Sequence, residues 1–90
     1  MYIIYLLISE DYRSTYIGFS NNIKERVIKH QSGQVRTTRN FGKFRCFKLE
    51  GVDDIIRARQ REKYWKSGAG RKKLKIIFDA IINMVSSSNG

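Results

Sequence analysis

Several residues in this chain stand where simple packing does not need them, and each has a bland reading beside a chemical one. Stepping three, four and three residues from Ile55 places Ala58, Glu62 and Trp65 on one stripe of a helix. A carboxylate on an apolar stripe is costly unless it is paired with a cation or ligates a metal, and the pattern alone favours the ion pair. Arg26 and His30, four residues apart on an earlier helix, flank an apolar stripe of Ile23 and Val27 and point toward a sheet edge. Taken singly, His30 reads as a core-margin histidine satisfied by backbone, and Arg26 as a surface partner of Asn22 or Glu25. Tyr5 and Tyr16 are placed by the two-residue period of strands on matching faces, with Ile3 and Leu7 beside the first and Gly18 beside the second. Two such tyrosines are commonly cross-strand packing. Together, though, these are the residue types of anion binding, proton transfer and metal ligation.

The elements that must hold them follow from the pattern. Residues 2–8 are apolar without clean alternation, as expected of a central strand covered on both faces. The polar 9–14 segment reads as a hairpin loop and 15–19 as the returning, antiparallel strand. Ser20, Asn21 and Asn22 are good helix caps, and Ile23, Val27 and Gln31, with Ile28 alongside, set a first helix that ends near Gln31 at Gly33. Residues 34–43 are polar and basic with no apolar period, so they read as an exposed loop. Phe44, Cys46 and Leu49 alternate with Arg45 and Lys48, except at Phe47, giving a third strand over 44–50. Asp53 is expected to cap a second helix. A third begins near Gly70 and carries Leu74, Ile77, Phe78, Ile81 and Val85 at helical spacing. The expected class is α+β in the order ββαβαα, one domain over 1–85 with a flexible tail at 86–90.

Ninety residues leave room for one modest core, since a chain this short buries only roughly 60% of its unfolded surface. Its 41% apolar residues and absence of proline fit a folded globule rather than a disordered chain. A net charge of +10 on so small a body favours a polyanionic partner. The basic residues are spread over every segment, which argues for nucleic acid over a membrane surface. With Cys46 as its one cysteine, the chain builds neither a disulfide nor a cysteine-based zinc site, and a cytoplasmic setting fits. The apolar opening run is too short to span a bilayer and lacks a basic leader, so it reads as a strand rather than a signal.

Ile3-Ile4-Tyr5, then Tyr16-Ile17-Gly18, then Arg26 and His30, then Glu62 follow one another in the order and spacing of the GIY-YIG nucleases, and the chain resembles that family over nearly its whole length. The most specific parts are Tyr16-Ile17-Gly18 with Arg26 downstream, and the run 61–71, which looks like the end of a small standalone subgroup. The resemblance implies a three-stranded antiparallel sheet flanked by helices. It also implies that Tyr5, Tyr16, Arg26, His30 and Glu62 converge to cleave DNA with a divalent metal, Mg²⁺ or Mn²⁺. In such a site Arg26 would fork onto the phosphate, Glu62 would hold the metal, and a tyrosine, Tyr5 first, would position or deprotonate the attacking water with His30 assisting. The remaining acids, Glu10, Asp11, Glu25, Glu50, Asp53, Asp54 and Asp79, read as loop, cap or outward residues, which favours one metal over a two-metal cluster. Two departures stand out: Ile3 replaces the glycine that names the first motif, and Phe19 follows Gly18 where some relatives have a lysine that could assist a tyrosine base.

By the same analogy Arg36, Arg39, Lys43 and Arg45 contact DNA backbone. Gly68-Ala69-Gly70 reads as a tight turn between helices, or as a phosphate cradle aided by Lys66 and Arg71. The leading expectation is therefore an endonuclease hydrolysing phosphodiester bonds. Its rivals are a catalytically silent nucleic-acid-binding module and a nuclease subunit whose protein partner, or second copy, supplies targeting.

Overall fold

The computed structural model describes residues 1–87. Three strands, β1 (Tyr2–Ser9), β2 (Thr15–Ser20) and β3 (Phe44–Val52), form one sheet in the order β2-β1-β3 with both pairings antiparallel. The helices are α1 (Ile23–Gln31), α2 (Ile55–Lys66) and α3 (Gly68–Ser87), and a short 3₁₀ turn, η1 (Arg36–Thr38), precedes β3. The expected α+β order is thus observed. Of the tail expected at 86–90, residues 88–90 lie outside the described residues, as does the side chain of Val85. Among the described residues no helix is long and apolar enough to cross a membrane.

β1 is central because it is apolar on both faces: Ile4, Tyr5, Leu6, Leu7 and Ile8 are each no more than 2% exposed. Alternation then sorts them. Ile4, Leu6 and Ile8 join Ile17, Ala58 and Trp65 in the main core, which α2 and α3 cover with Leu74, Ile77, Phe78 and Ile81. Tyr5 and Leu7 stand outside that core, on the face toward α1, where the Tyr5 ring lies 5.8 Å from that of His30. One face of the sheet is therefore the hydrophobic core and the other carries polar side chains.

β3 explains why its alternation looked broken. Ile4 pairs with Glu50 but Tyr5 with Lys48, so Leu49 is the extra residue of a bulge. The bulge puts Phe47, Leu49 and Glu50 all on the α2 side. Glu50, expected to face outward, instead takes a two-pronged hydrogen bond from Arg61 and a third, at 3.3 Å, from the Trp65 indole N–H. That charged pair holds the Glu50 carboxyl below the usual range and locks α2 onto β3.

Three other expectations shift. Asp54, not Asp53, caps α2, its carboxylate accepting from the Arg57 N–H at 2.8 Å. Ile28, expected beside the apolar stripe of α1, is 62% exposed, because the covered side of that helix turns about Arg26 and His30. Gly68-Ala69-Gly70 is the first turn of α3 rather than a loop, and Ser67 alone makes the corner. A methyl group on Gly70 would overlap the Tyr64 carbonyl and the Trp65 Cα, so this glycine lets α3 start hard against α2.

Candidate active site

The site is assembled where α1 crosses the polar face of β1 and β2. Asn22 caps α1 by accepting from the Glu25 N–H at 3.2 Å, and the helical four-residue step then sets Arg26 and His30 over Tyr5. The Tyr5 hydroxyl lies 2.9 Å from His30 Nε2 and accepts from Arg26 Nε at 3.3 Å. Tyr16 completes the group, with its ring 6.1 Å from that of Tyr5 and 5.1 Å from that of His30. Phe44 from β3 closes the imidazole's remaining edge at 6.1 Å. Gly18 makes this possible, since it pairs with Tyr5 across the strands and leaves the space both tyrosine rings fill.

Neither everyday reading of α1 holds. His30 is 2% exposed, and both ring nitrogens meet side chains, Tyr5 on one side and Thr38 Oγ1, at 2.6 Å, on the other. Arg26 turns inward to Tyr5, while Glu25 pairs with Lys29 on the surface. Thr38 is the residue that sequence reasoning missed. It sits within the basic loop expected to be exposed, yet it is 2% exposed, and nothing in the polar run 34–43 signals that one hydroxyl is buried.

Burial pushes the Tyr5 phenol up to about 12, with the Arg26 hydrogen bond offsetting part of the rise. Burial, and after it the Arg26 charge, moves His30 below its ordinary 6.5, so the imidazole is neutral at pH 7. Of the groups facing His30, from β1, β2, β3, α1 and η1, Arg26 alone carries a formal charge. Because the folded value lies below the unfolded one, the unfolded chain binds the proton first, and stability is lost as pH falls below about 6.5. Nuclear magnetic resonance of the only histidine should therefore show titration below 6.5, moving part-way back up in Arg26→Gln. Titration at or above 6.5 in the unaltered chain would contradict the burial described here.

Glu62 lies elsewhere. It projects from α2 between Ala58 and Trp65, as its stripe requires, with its side chain 26% exposed and Lys66 Nζ at 3.2 Å. Its one recorded polar partner is Lys66, so the structure does not bring it into contact with the tyrosine, arginine and histidine group. Tyr16 of that group and the Lys66 partner of Glu62, though not Glu62 itself, line one cleft of about 860 Å³ together with Arg13, Thr37, Arg71 and Lys75. Arg13 and Lys75 were not singled out from sequence.

A family model for the GIY-YIG catalytic domain matches residues 1–75, most of the chain. The chain belongs to the GIY-YIG family. No curated protein and no solved structure gives a match. GIY-YIG membership makes this a nuclease-type domain, and the motif residues find their physical reasons here. The second motif's glycine clears room for the two tyrosines, and Ile3, in place of the first motif's glycine, is half-buried beside Gly51. The six basic residues expected at nucleic acid, Arg36, Arg39, Lys43, Arg45, Lys66 and Arg71, are all exposed. Among the described residues no three His, Cys, Asp or Glu side chains gather. Glu62 is the residue that could hold a metal: a partly exposed carboxylate with one solvent-facing lysine beside it suits an ion that keeps most of its waters.

Proposed function

We propose that this GIY-YIG domain is a divalent-metal-dependent DNA endonuclease that hydrolyses phosphodiester bonds by tyrosine-assisted attack of water. The observation that carries the reading is the Tyr5 hydroxyl suspended between His30 Nε2 at 2.9 Å and Arg26 Nε at 3.3 Å. A phenol pushed up to about 12 is a poor base by itself. Paired with a neutral imidazole it becomes a useful one: Tyr5 takes a proton from water as its own proton passes to His30, and no free phenolate accumulates. In this reading water would approach Tyr5 from the side of Tyr16, because Tyr5 is buried and Tyr16 is the half-buried member of the pair.

Arg26 spends one N–H on Tyr5 and has further donors for the phosphate, where its fixed charge offsets the charge that grows during attack. Glu62 would hold Mg²⁺ or Mn²⁺, which when bound supplies Lewis acidity and charge neutralisation at the phosphoryl group. The exposed cations from the 34–43 loop to Arg71 supply sequence-independent, salt-sensitive attraction to the DNA backbone. Incubating the purified chain with supercoiled plasmid and with branched duplex, in Mg²⁺, Mn²⁺ or EDTA, tests the reading. Nicking in either metal and none in EDTA is the expected result. Salt-sensitive binding with no cleavage under any condition would overturn it in favour of a binding module or a subunit that needs a partner.

A further inference from the structure

Thr38 is the one buried residue of the basic loop, and nothing in the catalytic reading above calls for it. The loop is bent at both ends by glycines in the left-handed region, Gly33 at φ 77° and Gly42 at φ 66°, and Arg39 Nε ties it back to the Gly33 carbonyl at 3.1 Å. Between them η1 drives a single side chain inward. Its Oγ1 lies 2.6 Å from His30 Nδ1 and 3.4 Å from the Val35 carbonyl oxygen.

Counting protons decides what that contact does. A threonine hydroxyl has one proton to give. If it goes to the Val35 carbonyl, Oγ1 accepts from His30, the ring proton sits on Nδ1, and Nε2 presents a lone pair to Tyr5. Tyr5 Oη already accepts from Arg26, so its own proton points at Nε2, and every polar group in the chain Arg26, Tyr5, His30, Thr38, Val35 is satisfied. In the other tautomer, Nε2–H and Arg26 Nε–H both aim at the Tyr5 oxygen. The phenol proton then loses its 2.9 Å acceptor, and Thr38 must abandon Val35 to serve Nδ1. Either arrangement leaves every buried side-chain N and O atom among the described residues beside a partner, but only the first also gives the phenol proton an acceptor, at 2.9 Å.

We infer that Thr38 is a positioning residue whose hydroxyl, by accepting from His30 Nδ1, fixes the imidazole as the Nδ1–H tautomer and keeps Nε2 open as the acceptor for the Tyr5 proton. The inference rests on the nuclease reading for its catalytic consequence but not for its geometry. When the proton leaves Tyr5 Oη it bonds to Nε2, the ring becomes an imidazolium, and its Nδ1–H goes on donating to Thr38. Arg36 and Arg39 flank Thr38 on the exposed side of the same loop, so the loop that would meet DNA backbone also sets the imidazole.

His30 is the only histidine in the chain, so ¹⁵N labelling at histidine reads this ring alone. Spectra are recorded without DNA or metal for the unaltered chain, Thr38→Ser and Thr38→Val, and turnover is measured in parallel. The expected result is the Nδ1–H pattern in the unaltered chain, its retention in Thr38→Ser, and a switch to Nε2–H or a mixture in Thr38→Val. With it, kcat should fall by ~10-fold to 100-fold in Thr38→Val and stay near normal in Thr38→Ser, with KM little changed in both. An Nε2–H pattern in the unaltered chain overturns the inference, as does a folded Thr38→Val that keeps both tautomer and kcat. If Thr38→Val does not fold, the spectra of the other two proteins decide. A chain that cuts no DNA yet shows the Nδ1–H pattern sinks the nuclease reading and leaves the Thr38 contact standing.

Discussion

Gly18→Ala is expected to leave a folded protein that has lost cleavage by ~10²-fold to 10³-fold, a loss larger than its size suggests. The new methyl carbon would stand 2.6 Å from the Tyr5 oxygen, 2.7 Å from Tyr5 Cζ and 2.8 Å from Tyr16 Cε1. Ordinary contact needs closer to ~3.5 Å, so both rings must move by most of an ångström. A free side-chain end would simply swing away, but Tyr5 is 1% exposed and its hydroxyl is held on two sides by His30 and Arg26. The shift therefore breaks the proton path and the Arg26 anchor at once. Stability should fall by only about 1–3 kcal/mol, the usual cost of overpacking, because Tyr5 and Gly18 lie outside the main core cluster. Circular dichroism, urea unfolding and plasmid nicking measured side by side check this. Near-normal turnover in the variant would mean that the position of the Tyr5 hydroxyl does not matter to the reaction.

What sequence could and could not reveal divides along physical lines. β1 was legible because a strand buried on both faces must be apolar throughout, and Tyr5 is the one residue of its fully buried run 4–8 with a polar tip to place. α1, α2 and α3 were legible from their periods and caps. The bulge at Leu49 was not, because register belongs to a pair of strands and a single strand's alternation cannot show where the pairing slips; Glu50 was misplaced with it. Ile28 looked buried because periodicity ranks residues by hydrophobicity, whereas α1 turns its chemically useful side inward. Thr38 was hidden for a related reason. A polar loop carries no pattern that marks which of its hydroxyls finds a buried acceptor or donor, and only the partner, His30, gives that residue a meaning.

Glu62 poses the choice between ion pair and metal ligand that its sequence position raised, and one pair of substitutions separates them. The Lys66 contact is an exposed i,i+4 pair, with the lysine side chain 51% exposed, and such pairs contribute roughly 0.3–0.5 kcal/mol. If that contact were the whole role of Glu62, then Glu62→Gln and Lys66→Ala would each cost about that much stability and leave turnover alone. If Glu62 holds the metal, the two diverge. Glu62→Gln keeps the shape of the side chain but removes its charge, and losing several kcal/mol of phosphoryl charge stabilisation corresponds to ~10³-fold in rate. Lys66→Ala, by contrast, frees the carboxylate and should leave metal-dependent cleavage within a few-fold, with some weakening at higher salt because Lys66 also lines the cleft. We expect the divergent result, read as single-turnover cleavage against Mn²⁺ concentration for both variants, with Mn²⁺ binding to the chain lost in Glu62→Gln alone. Equal and small effects would return Glu62 to the surface of α2 as a structural residue, and the metal ligand would have to be sought among groups other than carboxylates on the cleft.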